Sequence, residues 1–327
     1  MRVSDQHYHH DHHHEKNSLM ESSEFELNSD YFSTNISPHK LYTTDLDISA
    51  RWVIASIDKR IFLCDIEGEI RIFSYSKELH RQPLLTERFH LSTIRLISSF
   101  TITQDYLIAF ETDTQILTLH SHHGSLLLRL YFLYNPTMIV RGESKKKNQI
   151  WICNRAKHQC YQLQLDHTSK DTQLVDQLDF TRPISNVVIE PMGISTDQQG
   201  RIAVHDVNKN TSDRLILFTN QKNTIYSLDF LKYGDKSFSS RIERVLLIPN
   251  QPHLIIVIYV PQPATNNLQE IVLVNIHLQP PQILHRLTEP NGIQNLDLTL
   301  NNELVYTVST PANKRIPPKM HVYSLVS

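Results

Sequence analysis

Hydrophobic positions along this chain come in short runs rather than helical stripes. From about Leu41 onward, β-branched and aromatic runs alternate with polar turns, and no stretch sustains a helical period. The reading is all-β. One kind of run recurs: Trp52-Val53-Ile54-Ala55, Tyr106-Leu107-Ile108-Ala109, Ile150-Trp151-Ile152-Cys153, Ile202-Ala203-Val204-His205, Leu254-Ile255-Ile256-Val257 and Leu304-Val305-Tyr306-Thr307 begin 54, 44, 52, 52 and 50 residues apart. A period near fifty with several strands per unit marks the blades of a propeller.

Each tetrad has similar neighbours. Ahead of them lie Asp45 to Ser49, Ile94 to Thr101, Met138 to Arg141, Gly193 to Asp197, Arg244 to Ile248 and Gln294 to Leu300. Behind them come Arg60 to Cys64, Gln115 to His120, Gln159 to Leu163, Arg214 to Phe218, Glu270 to Asn275 and Lys319 to Ser324, usually followed by one more strand. This predicts six blades of four antiparallel strands over residues 35–327. The last unit stops after its third strand, so His39 to Thr43 is expected to supply the fourth. That pairing closes the ring and leaves no open sheet edge between the two ends.

Residues 1–34 differ in composition from the rest. They carry two basic and seven acidic residues, net -5, which leaves 30 basic against 27 acidic in the remainder, net +3. The stretch is expected to be a disordered tail, because it lacks the apolar residues to fold around. His7, His9, His10, His12, His13 and His14 give it adventitious metal affinity, since each neutral imidazole offers a nitrogen lone pair.

Glu190-Pro191-Met192-Gly193-Ile194-Ser195-Thr196-Asp197-Gln198-Gln199-Gly200-Arg201-Ile202-Ala203-Val204-His205-Asp206 resembles the NHL repeat, Pro-x-Gly-Ile-x-x-Asp-x-x-Gly-x-Ile-x-Val-x-Asp. Asn208 and Arg214-Leu215-Ile216-Leu217-Phe218 continue the pattern. The resemblance is close over 190–218 and otherwise rests on strand pattern, which a WD-type propeller fits as well. It implies a six-bladed ring of the kind found at the end of tripartite-motif proteins. The RING and B-box zinc sites of those proteins are not expected here, because three cysteines without a CxxC pair are too few.

Candidate chemistry is sparse. Seven glycines, with no GxxxxGK and no GxGxxG, argue against a phosphate-cradling loop, and no cofactor is expected. A lactonase-like metal centre would need oxygen ligands from several blades, yet the fourth blade offers Met192-Gly193 where a ligand is wanted. Glu190 and Asp206 remain as oxygen donors, and both are expected to be structural. Cys64, Cys153 and Cys160 read as reduced thiols of a cytoplasmic protein, no export signal being evident. No apolar stretch reaches the roughly 18 residues of a membrane span.

One pattern has functional content. In a propeller the loops joining second to third strands and those joining blades share a face. By that rule Lys59, Arg155, Lys157, Lys209, Lys314, Arg315 and Lys319 are expected on one face, making it positive. The expected function is a non-catalytic platform for a protein partner on that face. The alternative is single-stranded RNA binding there, as several NHL propellers do, and a metal-dependent hydrolase ranks third. No small-molecule substrate is evident.

Overall fold

The computed structural model describes residues 38–56, 58–75, 82–92, 96–111, 113–132, 136–142, 147–182, 189–197, 200–206, 214–218, 223–227, 241–249, 251–260, 269–278, 281–299, 301–309 and 316–325. The six histidines of the N-terminal stretch, Lys209, Lys314 and Arg315 lie outside the described residues. Six four-stranded antiparallel sheets make up the fold. Their inner strands, Trp52–Ala55, Ile97–Ile102, Met138–Arg141, Pro191–Thr196, Arg241–Leu247 and Ile293–Leu298, all contribute to the wall of one central channel. The sixth sheet takes its outer strand from the start of the domain: His39–Asp45 pairs antiparallel with Lys319–Ser324, from His39 opposite Ser324 to Asp45 opposite Lys319. The ring thus closes as the sequence predicts. Among the described residues no helix is long and apolar enough to cross a membrane.

The core is not at the centre of the ring but between its blades. Six hydrophobic clusters each join two neighbouring blades. One contains Trp151, Cys153 and Cys160 of blade 3 with Val204 and Ile216 of blade 4; another joins Phe73 and Leu63 of blade 1 to Val305 and Val322 of blade 6. Second strands are therefore covered on both faces, as in Gln149–Asn154, where every residue is buried. Outer strands such as Leu84–His90 alternate exposed and half-buried positions, because only one face has a neighbour.

Blade 1 departs from the expected phasing. Trp52–Ala55 is its inner strand, Arg60–Cys64 its second, and Leu84–His90 an outer strand that the apolar pattern does not reveal. Asp45 to Ser49 is not a strand of blade 1. Leu46, Ile48 and Ala50 do alternate with exposed residues, but they do so as a connection packed across the junction of blades 6 and 1, with the Leu46 amide donating to the Pro318 carbonyl at 2.8 Å. The correction moves Lys59. Successive turns of an antiparallel sheet leave on alternate faces, so Lys59, between first and second strands, sits on the opposite face from Arg155, Lys157 and Lys319.

The residues that carry the NHL resemblance are structural. Asp197 Oδ2 accepts from Arg201 Nε at 2.6 Å, and the rest of that guanidinium donates to the Pro252 and Ile248 carbonyls of blade 5 at 2.9 and 3.1 Å. Asp206 accepts from the Glu190 amide at 2.7 Å and pairs with Arg214 at 2.8 Å. In blade 2, Gly124 has φ +85°, and a Cβ there would stand 2.6 Å from the Phe89 ring, which is why the His122-His123-Gly124 turn needs glycine. The three cysteines are buried and free, with Cys153 and Cys160 facing each other across a hairpin, their sulfurs 2.7 Å apart.

Arg201→Ala removes one partner of a buried pair and strands two carbonyls of the next blade. A loss of about 3 kcal/mol is expected in urea unfolding, with only part recovered by Arg201→Lys, which lacks the planar fork. Acid sensitivity has a separate source. Burial lowers the pKa of His120 to about 4 and of His205 to about 3. The unfolded chain takes up these protons near pH 6.5 while the folded chain does not. Stability is therefore fully present above that pH and falls as pH drops toward 4, by about 1.4 kcal/mol per unit for each histidine. His205→Gln should flatten the measured slope of unfolding free energy between pH 6.5 and 4; an unchanged slope would refute the assignment.

Candidate functional site

The inner strand of each blade has one edge paired and the other turned to the channel, where its amides need partners. Side chains from the neighbouring blade supply several. Ser99 Oγ accepts from the Ile139 amide at 3.2 Å, Ser195 Oγ from the Leu247 amide at 3.1 Å, and Asp297 Oδ2 from the Ala55 amide at 2.9 Å. In return Thr196 Oγ1 donates to the Arg141 carbonyl at 3.0 Å. Blades 2, 4 and 6 thereby cap blades 3, 5 and 1, and the channel wall becomes polar.

Two guanidinium groups enter this wall. Arg141 donates to the Ala55 carbonyl at 2.6 Å and lies 3.7 Å from Asp297 Oδ2. Arg244 donates to Asn295 Oδ1. Burial lowers the Arg244 pKa below the ordinary arginine value; Asp297 works against that shift and the Arg141 cation adds to it. Around these groups is a narrow throat of about 100 Å³, reached by all six blades.

Toward the interblade face the channel opens into a vestibule of about 510 Å³. Its shape follows from a repeated irregularity. The pairing of inner with second strand slips between Ile97 and Ser99, Pro191 and Gly193, Ile242 and Arg244, and Ile293 and Asn295. A bulge inserts one residue and re-aims its side chain; the inserted Met192, Glu243 and Gln294 all line the vestibule. Gly193 faces His205 on the second strand, and a Cβ on Gly193 would already lie 3.4 Å from Met138 Sδ. The missing side chain leaves His205 in the cavity wall, 3 % exposed, with Nε2 lacking a hydrogen-bond partner.

The candidates read from the sequence are placed less favourably. Arg155 sits at the vestibule rim but pairs with Glu190 at 2.7 Å. Lys319 lies 3.9 Å from Asp45. Lys157 is exposed in the same turn as Arg155, its amide bonded to Asn154 Oδ1 at 3.2 Å. Neither Glu190 nor Asp206 is poised as a metal ligand, since both are engaged with arginines. Among the described residues no three His, Cys, Asp or Glu side chains gather at one point. Arg141, Arg244, Asn295 and Asp297 are the residues that sequence reasoning passes over. Their signal was available: they are polar interruptions in strands that the propeller reading already assigns to the inside.

Comparison with known proteins bears on the fold. No protein family and no curated protein matches the chain, so the NHL subtype gains no support there. Among solved structures the RRP9 WD40 repeats superpose with a TM-score of 0.57 and 10% identity, over 88% of this chain and 97% of that one. The Neurospora crassa Pan2 WD40 domain gives 0.52 and 11%, over 88% and 95%. A streptogramin B lyase gives 0.50 and 9%, over 88% and 98%. At such identities the likeness extends to the fold alone, and the chain is a six-bladed β-propeller similar in build to WD40-repeat domains.

Proposed function

We propose that the propeller is a non-catalytic interaction platform that takes a protein partner on its interblade face. The observation that carries this reading is the pairing of charge and the exposure of apolar surface there. Of the described cations of the face, Arg155 pairs with Glu190 and Lys319 lies beside Asp45, while Arg51 donates to the neutral Gln294 and Lys157 is exposed. Over blades 6, 1 and 2, in contrast, Ile316, Ile66, Leu96 and Tyr131 stand 47 %, 45 %, 58 % and 78 % exposed. Ile66 and Leu96 are neighbours, the Ile66 carbonyl accepting from the Ile97 amide at 2.8 Å. Apolar side chains set on a rigid ring suit a protein surface better than a phosphate backbone, which calls for unpaired lysine and arginine. WD40-type likeness of the fold supports the same choice. Residues 190–218 support grouping blade 4 with NHL-type blades, and three buried cysteines suit a cytoplasmic setting.

The test compares the full chain with Ile66→Asp, Leu96→Asp and Ile316→Asp variants as bait for affinity capture from the source cells, alongside anisotropy with single-stranded RNA at low and physiological salt. Captured protein should fall at least about tenfold in the variants and RNA should leave anisotropy flat. Capture that ignores these substitutions would overturn the reading, and RNA binding that weakens steeply with salt and is lost on charge reversal at Lys157, Lys209 and Arg315 would replace it with RNA.

A further inference from the structure

We propose that the central channel is a binding site for a small organic anion, its oxyanion group held by Arg141 and Arg244 in the throat and its apolar portion seated in the vestibule.

Charge and hydrogen-bond accounting both point to such a ligand. Arg141 and Arg244 share the throat with one carboxylate, Asp297, which is already committed to the Ala55 amide and to Arg141. Arg244 offers five N–H donors, and among the described residues its hydrogen-bond partner is one neutral amide oxygen, that of Asn295. A guanidinium stays charged, and inside a protein an uncompensated charge is costly unless a counter-ion or further acceptors reach it. The hydroxyls add to the imbalance. Ser99 and Ser195 spend their oxygens accepting backbone amides, so each O–H remains to donate. The throat therefore presents surplus donors and surplus positive charge in a space of about 100 Å³, the scale of a single carboxylate or phosphate group.

The vestibule decides the rest of the ligand. Arg244, Asn295 and Met138 border both spaces, so a group at the arginines is continuous with the wider cavity. That cavity, about 510 Å³, falls within the usual size of small-molecule pockets. Its walls are mixed: Met138, Met192, Ile242 and Ile293 form the apolar part, where methionine adapts to varied shapes, and Arg51, Arg155 and Glu243 form the charged part, with Glu243 already accepting from Gln269 at 2.6 Å. His205 adds one neutral imidazole whose orphaned Nε2 can bond a polar atom on the ligand body. A bare inorganic anion would leave these walls unused, and a neutral molecule would leave the arginines uncompensated. An amphipathic anion satisfies both.

Calorimetry and thermal unfolding on the full chain would use four probes: phenyl phosphate, phenylacetate, inorganic phosphate and benzyl alcohol. At least one aromatic anion should bind with Kd below about 1 mM and raise Tm, and the choice between phosphate and carboxylate is read from which of the two binds tighter. Benzyl alcohol and inorganic phosphate should each bind at least about tenfold more weakly than that probe. Arg244→Gln should cost at least about tenfold in affinity. Because that change can disturb folding, Met192→Trp provides an independent arm: it fills the vestibule from a bulge position while leaving both arginines in the sequence, and should weaken the aromatic anion while sparing inorganic phosphate. Failure of both aromatic anions to bind, equal binding of benzyl alcohol, or affinity unchanged in both variants would overturn the proposal.

Discussion

Every blade of this protein is apolar on both faces of its middle strands, and no blade can cover both faces by itself. All else in the fold follows from that constraint. A sheet such as the one holding Gln149–Asn154 needs a neighbour on each side, that neighbour needs another, and the series ends only by returning to its start. The last blade would present Val322 and Met320 to solvent beside an unpaired strand edge if His39–Asp45 did not complete it. Closure by strands from the two ends of the domain therefore couples the stability of blade 6 to that of blade 1. Arg201 does the same by polar means, reaching from blade 4 to two carbonyls of blade 5.

The same constraint makes the centre polar. With apolar surface consumed between blades, the inner strands meet the channel with free edges, and the ring must be wide enough that those edges do not pair. Hydroxyls and one carboxylate from alternate blades satisfy amides across the gap. The polar wall also carries charged groups, Arg141, Arg244 and Asp297. Bulges near the start of four inner strands then widen the channel on one face only.

How much of this is legible in the sequence depends on burial. Second strands are covered on both sides and spell out uninterrupted apolar tetrads, so five of the six repeats align correctly. Blade 1 fails because its inner strand, Trp52–Ala55, is itself fully buried and looks like a second strand. Its outer strand, Leu84–His90, is half exposed and carries no apolar run. The misphasing has a functional consequence, since it assigns Lys59 to the wrong face. Counting charge along loops does not anticipate pairing: the partners of Arg155 and Lys319 are Glu190 and Asp45, which are distant in sequence and become neighbours only through the blade geometry. The channel residues lie on strands that the repeat assigns to the interior, but the repeat alone does not say which side chain of an inner strand points to the axis. The bulges, which shift that register by one residue, are invisible in the apolar pattern.

Where charge is left uncompensated matters more than how much of it there is. At the rim, solvent screens each cation and a nearby carboxylate neutralises it, so Arg155 and Lys319 contribute little field at a distance. In the channel, enclosure by six blades limits solvent screening of two arginines that share one acid in the throat. A body of net +3 can thus hold paired cations such as Arg155 and Lys319 at its rim and still be electropositive at its axis. On the two proposed readings, electrostatic recognition would belong to the centre of the ring, and the apolar side chains of blades 6, 1 and 2 would govern what docks on the face around it.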